Sequence, residues 1–446
     1  MPRSIIRRSL VVVVAALSHA AASTHSVATR LHSWRASAAS AGCHIVSAKP
    51  GDDIHLSRYC AGGTAFPSLG SRTQANNAAQ RRELLVNGVE AHGATRVRLG
   101  DVLTLQTPTA TPMTPGAMRR VEKFYSELAE MKPERGGRLE ALFEDDELAV
   151  VFKPPGVHST AWAGTRKKWG DLTLSDALPL LLTAPQQPSS SDGEEGVTSA
   201  PLPSPLAAHR LDARVGGVIA VAKTHRALAG LSRLFKDRGA TKVYRAVVVG
   251  DVQLELFAGS AACRASGGEW SYSLLEASPS FDRIGSSSSA ASRALRVEQV
   301  NAEGRRCVTE VRVVQATPCS VHGTLTTLEL RPLTGRRHQL RLLCSRGLGA
   351  PIVGDDLYHD DANAARAALS PPDAELSLLP PVRRRAGLFL QATELSFAHP
   401  VTGESVCVRA PEMARFERLR ARAASGAGFS DEEWEAWRAD DASPGC

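Results

Sequence analysis

One acidic residue of this chain has surroundings that could hold a carboxylate still for chemistry. Asp212 ends the run His209-Arg210-Leu211-Asp212, and the apolar run 217–222 begins after four intervening residues. A short apolar run of this kind is typical of a buried strand, so we expect Asp212 at the lip of a cleft. Far downstream, residues 331–341 contain four arginines and no acid. A fixed carboxylate together with a basic, amide-bearing segment predicts an enzyme that acts on a polyanion.

Four stretches of the chain, in this order, resemble the motifs of the RluA-type pseudouridine synthases. They are an opening strand and KPxG turn (144–156), the HRLD segment with its apolar strand (209–224), a tyrosine motif (242–244), and an arginine motif with its following loop (334–358). The resemblance covers roughly residues 140–410. Four ordered motifs are far more specific than HRLD alone.

The resemblance implies that the chain isomerises uridine in RNA. In this reaction the bond between C1′ and N1 breaks, the base rotates, and it is rejoined to the sugar through C5. No redox change and no outside atom is needed, so neither a metal nor a cofactor is implied. The step requires an ionised carboxylate in a dry pocket, and the resemblance assigns that role to Asp212, as nucleophile or as base at the sugar. An isolated buried Asp could otherwise be a strand-end cap or a salt-bridge partner.

Two further residues match catalytic positions of the family. Arg341 matches the arginine that pairs with the catalytic carboxylate, where a guanidinium lowers the pKa of a sheltered carboxyl group. Its alternative role is that of a phosphate-binding or helix-face arginine. Tyr244 matches the tyrosine that lies against the target base, where the ring stacks and the hydroxyl helps to deprotonate C5. The alternative is a core tyrosine on an alternating strand.

The remaining candidates are expected to bind the substrate or to shape its surroundings. By resemblance, Arg210 enters the RNA helix or holds the position that the target base leaves, since a paired base must be extruded at a cost of a few kcal/mol. Lys153 is expected to orient the opening turn, with phosphate contact as the alternative. The whole substrate-binding set is His209, Arg210, Lys153, Arg336, Arg337, His338 and Gln339. Of these, His338 and Gln339 are expected to shape the loop rather than to react.

The chain departs from the family pattern at two places. The family usually has Thr-Ser-Gly where this chain has Val215-Gly216-Gly217, and Arg337 replaces the usual Thr of the arginine motif. The first departure removes two hydroxyl groups near Asp212 and the second adds charge on the RNA side. Neither changes a residue assigned to chemistry, so we expect activity with a lowered rate or an altered choice of substrate.

The formal net charge of the chain is concentrated at its N-terminus. The whole chain has 53 Lys and Arg, 46 Asp and Glu and a net charge of +7. Residues 1–51 contain six of the basic residues and no acid, so the remainder carries 47 basic and 46 acidic residues. Binding to RNA would therefore need a local patch, for which 331–346 is the best candidate. The eight cysteines are scattered without a CxxC pair, which disfavours both a zinc site and a disulfide framework.

The N-terminal 51 residues are predicted to be a targeting leader. Arg3, Arg7 and Arg8 precede an apolar run at 10–17 that is too short to span a bilayer comfortably, so no stable membrane insertion is expected. The following Ser-, Ala- and Arg-rich stretch is typical of a transit peptide. A signal-like part before a transit-like part favours a plastid, with a mitochondrion as the alternative and a wrongly assigned gene start as the third interpretation.

Residues 70–106 resemble an S4 RNA-binding domain. A helix at 72–86 is followed by the Asn87-Gly88 turn and by alternating apolar residues at 97–105, which are hairpin signals. An unrelated helix-hairpin cap is the alternative. The predicted organisation is then a leader (1–51), an S4-like domain (70–106), a linker and helix (107–139), a catalytic domain (140–412) and a tail (413–446). Low-complexity insertions interrupt the catalytic domain at 184–205, 262–294 and 360–386, where the composition favours surface loops.

The catalytic domain is predicted to be α+β. Strands are expected at 148–152, 217–222, 242–249, 308–314, 324–331 and 388–397, and a helix at 225–238. Regular strand-helix-strand units are few, so a mixed, mainly antiparallel sheet with flanking helices is favoured over a doubly wound one.

Two other classes of protein share parts of this sequence pattern. A catalytically silent RNA-binding protein of the same fold, acting in ribosome assembly, is the alternative to a synthase acting on a stem-loop of ribosomal or transfer RNA. A kinase-like catalytic loop is excluded, because no Asn follows HRLD at the required spacing and neither a Gly-rich loop nor DFG is present. A monomer is the default, since no heptads or repeats occur.

Overall fold

The computed structural model describes residues 10–13, 42–45, 54–61, 65–66, 69, 71–80, 82–87, 89–98, 101–105, 115–131, 137–160, 172–185, 201–257, 263–265, 268–276, 293–300, 304–369 and 387–426. Most of the predicted leader, residues 107–114 and 132–136 of the linker, part of each insertion and the tail from residue 427, with Trp434 and Trp437, lie outside these ranges.

The described residues form nineteen strands, one π-helix and nine α-helices. The strands are β1 Leu10–Val13, β2 Gly42–Ile45, β3 Ile54–His55, β4 Leu84–Val86, β5 Val89–Glu90, β6 Arg96–Val97, β7 Val102–Leu105, β8 Glu140–Glu144, β9 Leu148–Lys153, β10 Pro201–Ala207, β11 Gly216–Thr224, β12 Thr241–Val249, β13 Cys263–Ala265, β14 Gly268–Glu276, β15 Arg293–Val300, β16 Arg306–Cys319, β17 Gly323–Pro332, β18 Leu390–Ala398 and β19 Ser405–Arg409. The α-helices are α1 Leu56–Cys60, α2 Arg72–Gln80, α3 Pro115–Ala129, α4 Leu174–Leu181, α5 His225–Lys236, α6 Leu254–Phe257, α7 Gln339–Leu342, α8 His359–Leu369 and α9 Ala414–Ala424, and the π-helix Leu343–Gly347 follows α7 directly.

One large mixed sheet forms the centre of the catalytic domain. Its strand order is β13-β14-β15-β16-β17-β12-β18-β11-β9-β8, with β10 beside β11, β19 beside β18 and β1 beside β19. Among the described strands, only the β11–β18 and β1–β19 pairs are parallel. The predicted α+β class with a mainly antiparallel sheet is confirmed, and all six predicted strands are present in it.

Strand β11 connects the sheet to the segment that carries Asp212. All nine of its residues are buried, because both of its faces are covered. Val218 and Ala220 pack into the main core, whereas Ile219 and Val221 pack on the opposite face against helix α4. Its beginning needs glycine, since Gly217 has φ +129 and an added Cβ would lie 2.1 Å from the carbonyl oxygen of Ala392. The residues just before β11 therefore start from a fixed point of the sheet.

The N-terminal unit differs from the prediction in its helix and in its beginning. The predicted helix 72–86 ends at Gln80, and residues 84–86 form β4, which makes a hairpin with β5 through Asn87 at φ +51. The unit also begins earlier than residue 70. Leu56 of α1 is buried in the same small core as Ala75 and Leu103, and β2 pairs with β7.

Four segments assigned to surface loops or to the tail contain regular structure. Residues 201–205 belong to β10. The predicted insertion 262–294 contains β14, which forms a strand there because its alternate residues Trp270 and Tyr272 are buried. Helix α8 begins at His359 and continues into the predicted insertion 360–386. Its alanine residues favour a helix, because alanine has the highest helix propensity. Helix α9 lies within 413–446 and packs Phe416 and Leu419 into the main core. Within the described residues, no helix combines the length and the apolar character needed to cross a membrane.

A buried ion network holds the face of the sheet opposite to that of Tyr244. The Glu329 carboxylate has no solvent exposure, and one of its oxygens lies 3.1 Å from a guanidinium nitrogen of Arg245 and 3.1 Å from one of Arg312. Arg331 Nε lies 3.7 Å from its other oxygen. Three cations therefore share one buried anion.

We expect Glu329→Gln to lower the free energy of unfolding by about 3–5 kcal/mol, because the change removes the fully buried carboxylate that three guanidinium groups share. Urea unfolding of both proteins measures this difference. The matched control is Glu298→Gln, which removes a partly exposed partner of Arg306 and should have little effect. Equal losses in the two variants would contradict a special role for the buried network.

Candidate active site

A cleft of about 650 Å³ lies beside the end of β11, within the usual size range of ligand pockets. Segments from three parts of the chain line it: 209–215 before and at the start of β11, 235–244 from the end of α5 to β12, and 332–341 after β17, together with Leu390. Of the ten predicted site residues, nine line this cleft: Asp212, Tyr244, Arg341, His209, Arg210, Arg336, Arg337, His338 and Gln339. The structure therefore brings together residues that are up to 132 positions apart in the sequence.

The backbone around Asp212 is held on both sides by hydrogen bonds. Ser159 Oγ accepts a hydrogen bond from Leu211 N and donates one to Leu211 O, each at 3.1 Å. The carbonyl of Asp212 accepts from Val215 N at 3.0 Å, and that of Ala213 accepts from Gly156 N at 2.7 Å. The position of the Asp212 side chain is thus fixed by the KPxG turn and the residues that follow it.

Lys153 holds the same segment through hydrogen bonds to backbone carbonyl groups. It is fully buried, and its Nζ donates to the carbonyl oxygens of Pro154 at 2.9 Å, Val157 at 2.8 Å and Ala213 at 3.2 Å. Burial lowers the pKa of Lys153 to about 7, while the negative charge of Asp212 acts in the opposite direction. The assignment of Lys153 to substrate binding is corrected, because its ammonium is enclosed and bound to backbone oxygens. It orients the opening turn.

Asp212 is 26% exposed, and one of its oxygens lies 3.8 Å from His338 Nε2. His338 has φ +54, a conformation that is uncommon outside glycine, and its Nδ1 lies 2.8 Å from the Tyr358 hydroxyl. Burial lowers the pKa of His338, although the charge of Asp212 works against this effect. The imidazole is therefore held beside the carboxylate by a second residue.

Arg341 does not form the expected direct pair with Asp212. Its Nε and Nη2 donate to the two oxygens of Asp355 at 2.7 and 2.5 Å, and both side chains are buried. Burial tends to lower the pKa of Arg341, but the hydrogen bonds and charge of Asp355, together with the charge of Asp212, raise it. The guanidinium therefore stays charged and acts on Asp212 through its field while Asp355 holds it in place.

Tyr244 enters the cleft from β12. A bulge in the pairing of β12 with β18 falls between Val243 and Tyr244, and bulges of this kind re-aim side chains near active sites. Burial and the charge of Asp212 both raise the pKa of Tyr244, so its hydroxyl stays protonated at neutral pH. Lys242, two residues earlier on the strand, also lines the cleft, and burial lowers its pKa.

Two of the predicted substrate-binding residues use their polar atoms within the protein. Gln339 donates to Val308 O and Thr309 Oγ1 at 3.0 and 2.9 Å, and its Oε1 accepts from Thr334 Oγ1 and Arg336 N. Its amide therefore shapes the loop, which corrects its assignment to substrate binding.

His209 Nε2 accepts a hydrogen bond from Ala220 N at 3.0 Å, and its ring lies against Phe235. Burial, assisted by the charge of Lys242, lowers the pKa of His209 to about 3, so the imidazole is neutral. This hydrogen bond ties the start of HRLD to the middle of β11.

Sequence reasoning missed several residues of this site. Ser159 and Asp355 support Asp212 and Arg341, and Lys236, Lys242 and Arg238 add cations to the cleft. Lys242 could have been found from the alternation of β12, which puts it on the same face as Tyr244. Ser159 could not, because its partner is 52 positions away in the sequence.

The departure at Gly216 is accompanied by close packing. A Cβ at residue 216 would lie 3.1 Å from Cδ of Pro155 and 3.3 Å from Sδ of Met413. Val215 is buried and lines the cleft beside Asp212. Apolar packing thus occupies the region where the family usually has two hydroxyl groups, and a serine at 216 would need its neighbours to shift.

Comparisons with known proteins agree with this geometry. The family model described as RNA pseudouridylate synthase matches residues 147–346. Ribosomal large subunit pseudouridine synthase D of Xanthomonas campestris is 32% identical over 281 residues, which cover 63% of this chain and 68% of that protein. Dual-specificity RNA pseudouridine synthase RluA of Haemophilus influenzae is 28% identical and covers 64% of this chain and 97% of that protein. RNA pseudouridine synthase 4, mitochondrial, of Arabidopsis thaliana is 29% identical and covers 59% of this chain and 49% of that protein.

The fold, three of the four motifs in one cleft with the fourth supporting it, and these matches define an RNA-modifying enzyme of the pseudouridine synthase class. The chain belongs to the RluA-type pseudouridine synthase family, as the resemblance implied.

The low pKa of Lys153 predicts a specific pH dependence of stability. In the unfolded chain Lys153 keeps its proton up to its ordinary value of 10.5, whereas in the folded chain it loses the proton from about pH 7. The unfolded state then binds more protons between these values, so the free energy of unfolding rises with pH. We expect the native protein to gain about 1–2 kcal/mol relative to Lys153→Met between pH 7 and 8.5.

Urea unfolding at several pH values measures this difference. The Lys153→Met variant is the control for every other group that titrates, because those groups are common to both proteins. Parallel pH profiles would mean that Lys153 keeps its charge when buried.

Proposed function

We propose that this chain converts uridine to pseudouridine in a structured RNA, with Asp212 as the catalytic carboxylate. The observation that carries the proposal is the charge pattern of the cleft. Asp212 is the single acid among the described residues that line it, against seven basic side chains: Arg210, Lys236, Arg238, Lys242, Arg336, Arg337 and Arg341. A polyanion would be attracted to such a cleft, and its sugar would meet one fixed carboxylate.

In the proposed reaction, Asp212 acts at C1′ of the target uridine, as nucleophile or as base at the sugar. The C1′–N1 bond breaks, the uracil rotates, and C5 bonds to C1′ as any bond between C1′ and the carboxylate breaks. The C5 proton then leaves while N1 gains a proton. A side-chain exposure of 26% leaves the Asp212 carboxylate accessible to a ribose. Arg341 supports its negative charge without covering either oxygen, because both hydrogen bonds of that guanidinium go to Asp355.

Tyr244 is proposed to stack on the uracil ring. Its raised pKa argues against a phenolate in the free enzyme, so the ring face rather than a free base is its first contribution. Arg210 is exposed at the edge of the cleft, which suits a side chain that fills the position of an extruded base.

The RNA is proposed to be ribosomal or transfer RNA of an organelle, with the S4-like unit as a second RNA contact. Exposed Arg72, Arg82, Arg96 and Arg98 on the N-terminal unit suit such a contact. The two-part leader favours a plastid, whereas the mitochondrial name of the Arabidopsis relative favours a mitochondrion.

A silent RNA-binding protein is the second candidate. It is favoured by the apolar surroundings of Val215 and Gly216, where the hydroxyl groups usual in the family are replaced by packing against Pro155 and Met413. The presence of Asp212, Tyr244 and Arg341 in one cleft argues for catalysis.

Tritium release distinguishes the two candidates. With organellar RNA labelled with tritium at uridine C5, the native protein should release tritium, and Asp212→Asn should lower the rate about a thousandfold or more. The matched control is Asp237→Asn, an exposed acid on the segment after α5 that does not line the cleft; its rate should stay close to that of the native protein. Binding of the RNA without release by the native protein would establish the silent candidate.

Residues 1–70 fused to a fluorescent protein should enter an organelle, because a basic and apolar start followed by an acid-free stretch is typical of imported precursors. Microscopy with plastid and mitochondrial markers measures the destination. The control fusion carries Arg7→Glu and Arg8→Glu, which should abolish import. Cytosolic fluorescence of the unaltered fusion would contradict the proposed location.

A further inference from the structure

The C-terminal end of helix α5 brings two basic side chains to the cleft. Lys236 is the last residue of the helix, Arg238 follows it by two positions, and both are exposed and line the cleft. Neither side chain forms a hydrogen bond or an ion pair with another residue in the part of the chain that the structure describes. The fold therefore does not use these charges internally.

The backbone of Arg238 is held in a conformation that favours glycine. Its φ is +60, and the helix ends there through hydrogen bonds from Arg238 N to Phe235 O at 3.4 Å and from Gly239 N to Leu234 O at 2.9 Å. Glycine is the usual residue at this position just after a helix, but in this chain the glycine, Gly239, comes one position later. A strained conformation of a residue with a large side chain is found most often where the side chain has a function.

The electrostatic field of the helix explains part of this arrangement. Cations at the C-terminal end of a helix stabilise it. Arg233 already lies in the last turn of α5, is exposed, and is not among the described residues that line the cleft. The helix field therefore accounts for a basic last turn, but not for the placement of Lys236 and Arg238 at the cleft.

We propose that Lys236 and Arg238 bind phosphate groups of the RNA strand that flanks the target uridine. They position the substrate and do not touch the reacting atoms. This role rests on the proposed function, and it assigns α5 a contact separate from that of Arg336 and Arg337, which come from the segment after β17. A guanidinium at Arg238 suits a phosphate because it can donate two parallel hydrogen bonds.

The test compares Arg238→Gly with Arg233→Ala in the full chain. The probe is a fluorescently labelled RNA hairpin with uridines in its loop, and its dissociation constant is measured over a series of salt concentrations. Arg238→Gly should weaken binding about fivefold and lower the slope of log K against log salt by about 0.9, as expected for one lost phosphate contact. Lys236→Ala should behave in the same way, and Arg233→Ala should match the native protein.

Stability and rescue separate this role from a structural one. Glycine removes the strain at residue 238, so Arg238→Gly should unfold at no lower urea concentration than the native protein. Arg238→Lys should keep the native salt slope. A native salt slope in Arg238→Gly, or an equal loss in Arg233→Ala, would overturn the proposal.

Tritium release by the same variants distinguishes this proposal from the proposed function. The effect of Arg238→Gly should be found in the RNA concentration that half-saturates the enzyme. Absence of release by the native protein would reject the proposed catalysis, and the binding measurements would still decide whether Lys236 and Arg238 contact phosphate.

Discussion

The site depends on the hydrogen bonds that the buried ammonium of Lys153 donates to backbone carbonyl groups. This ammonium joins carbonyl groups from two segments, the KPxG turn and the residue after Asp212, which are 60 positions apart in the sequence. An ammonium has three hydrogen-bond donors and loses its hydration when it is buried. Acceptors such as these carbonyl groups must then replace the lost water. Burial lowers the pKa of Lys153 to about 7, and the charge of Asp212 opposes this effect. The anchor of the loop and the proposed catalytic charge therefore stabilise each other.

The internal use of polar groups decides which side chains remain for RNA. Gln339 and His209 are occupied by backbone contacts, and Arg341 is occupied by Asp355. If Arg341 instead donated both of these hydrogen bonds to Asp212, the carboxylate would have fewer free lone pairs for a substrate. Because Arg341 pairs with Asp355 instead, both oxygens of Asp212 remain accessible while a positive charge lies nearby.

The sequence predicted the parts of the fold that have a regular pattern. A strand buried on both faces such as β11 is a continuous apolar run, and the ordered motifs identify most of the cleft. It did not predict β14, since Trp270 and Tyr272 alternate within a stretch rich in Ser and Gly. Nor did it predict the partners of Leu211 or Arg341, because those contacts arise from the arrangement of the sheet and its loops, which no local spacing encodes.

The charge of Asp212 acts on two neighbours in the same direction. It raises the pKa of Tyr244, and it also raises the pKa of Lys153 against the opposite effect of burial. Both groups therefore hold their protons more firmly while the carboxylate is charged. If Asp212 forms a bond to C1′ in the proposed reaction, its charge is absent only while that bond lasts, and the charge returns when C5 bonds to C1′ and displaces the carboxylate. The charge of Asp212 therefore raises the pKa of Tyr244 again at the stage when the C5 proton must leave. The hydroxyl stays protonated at that stage, so Tyr244 contributes the face of its ring, which stacks on the base, because the field of Asp212 opposes a phenolate.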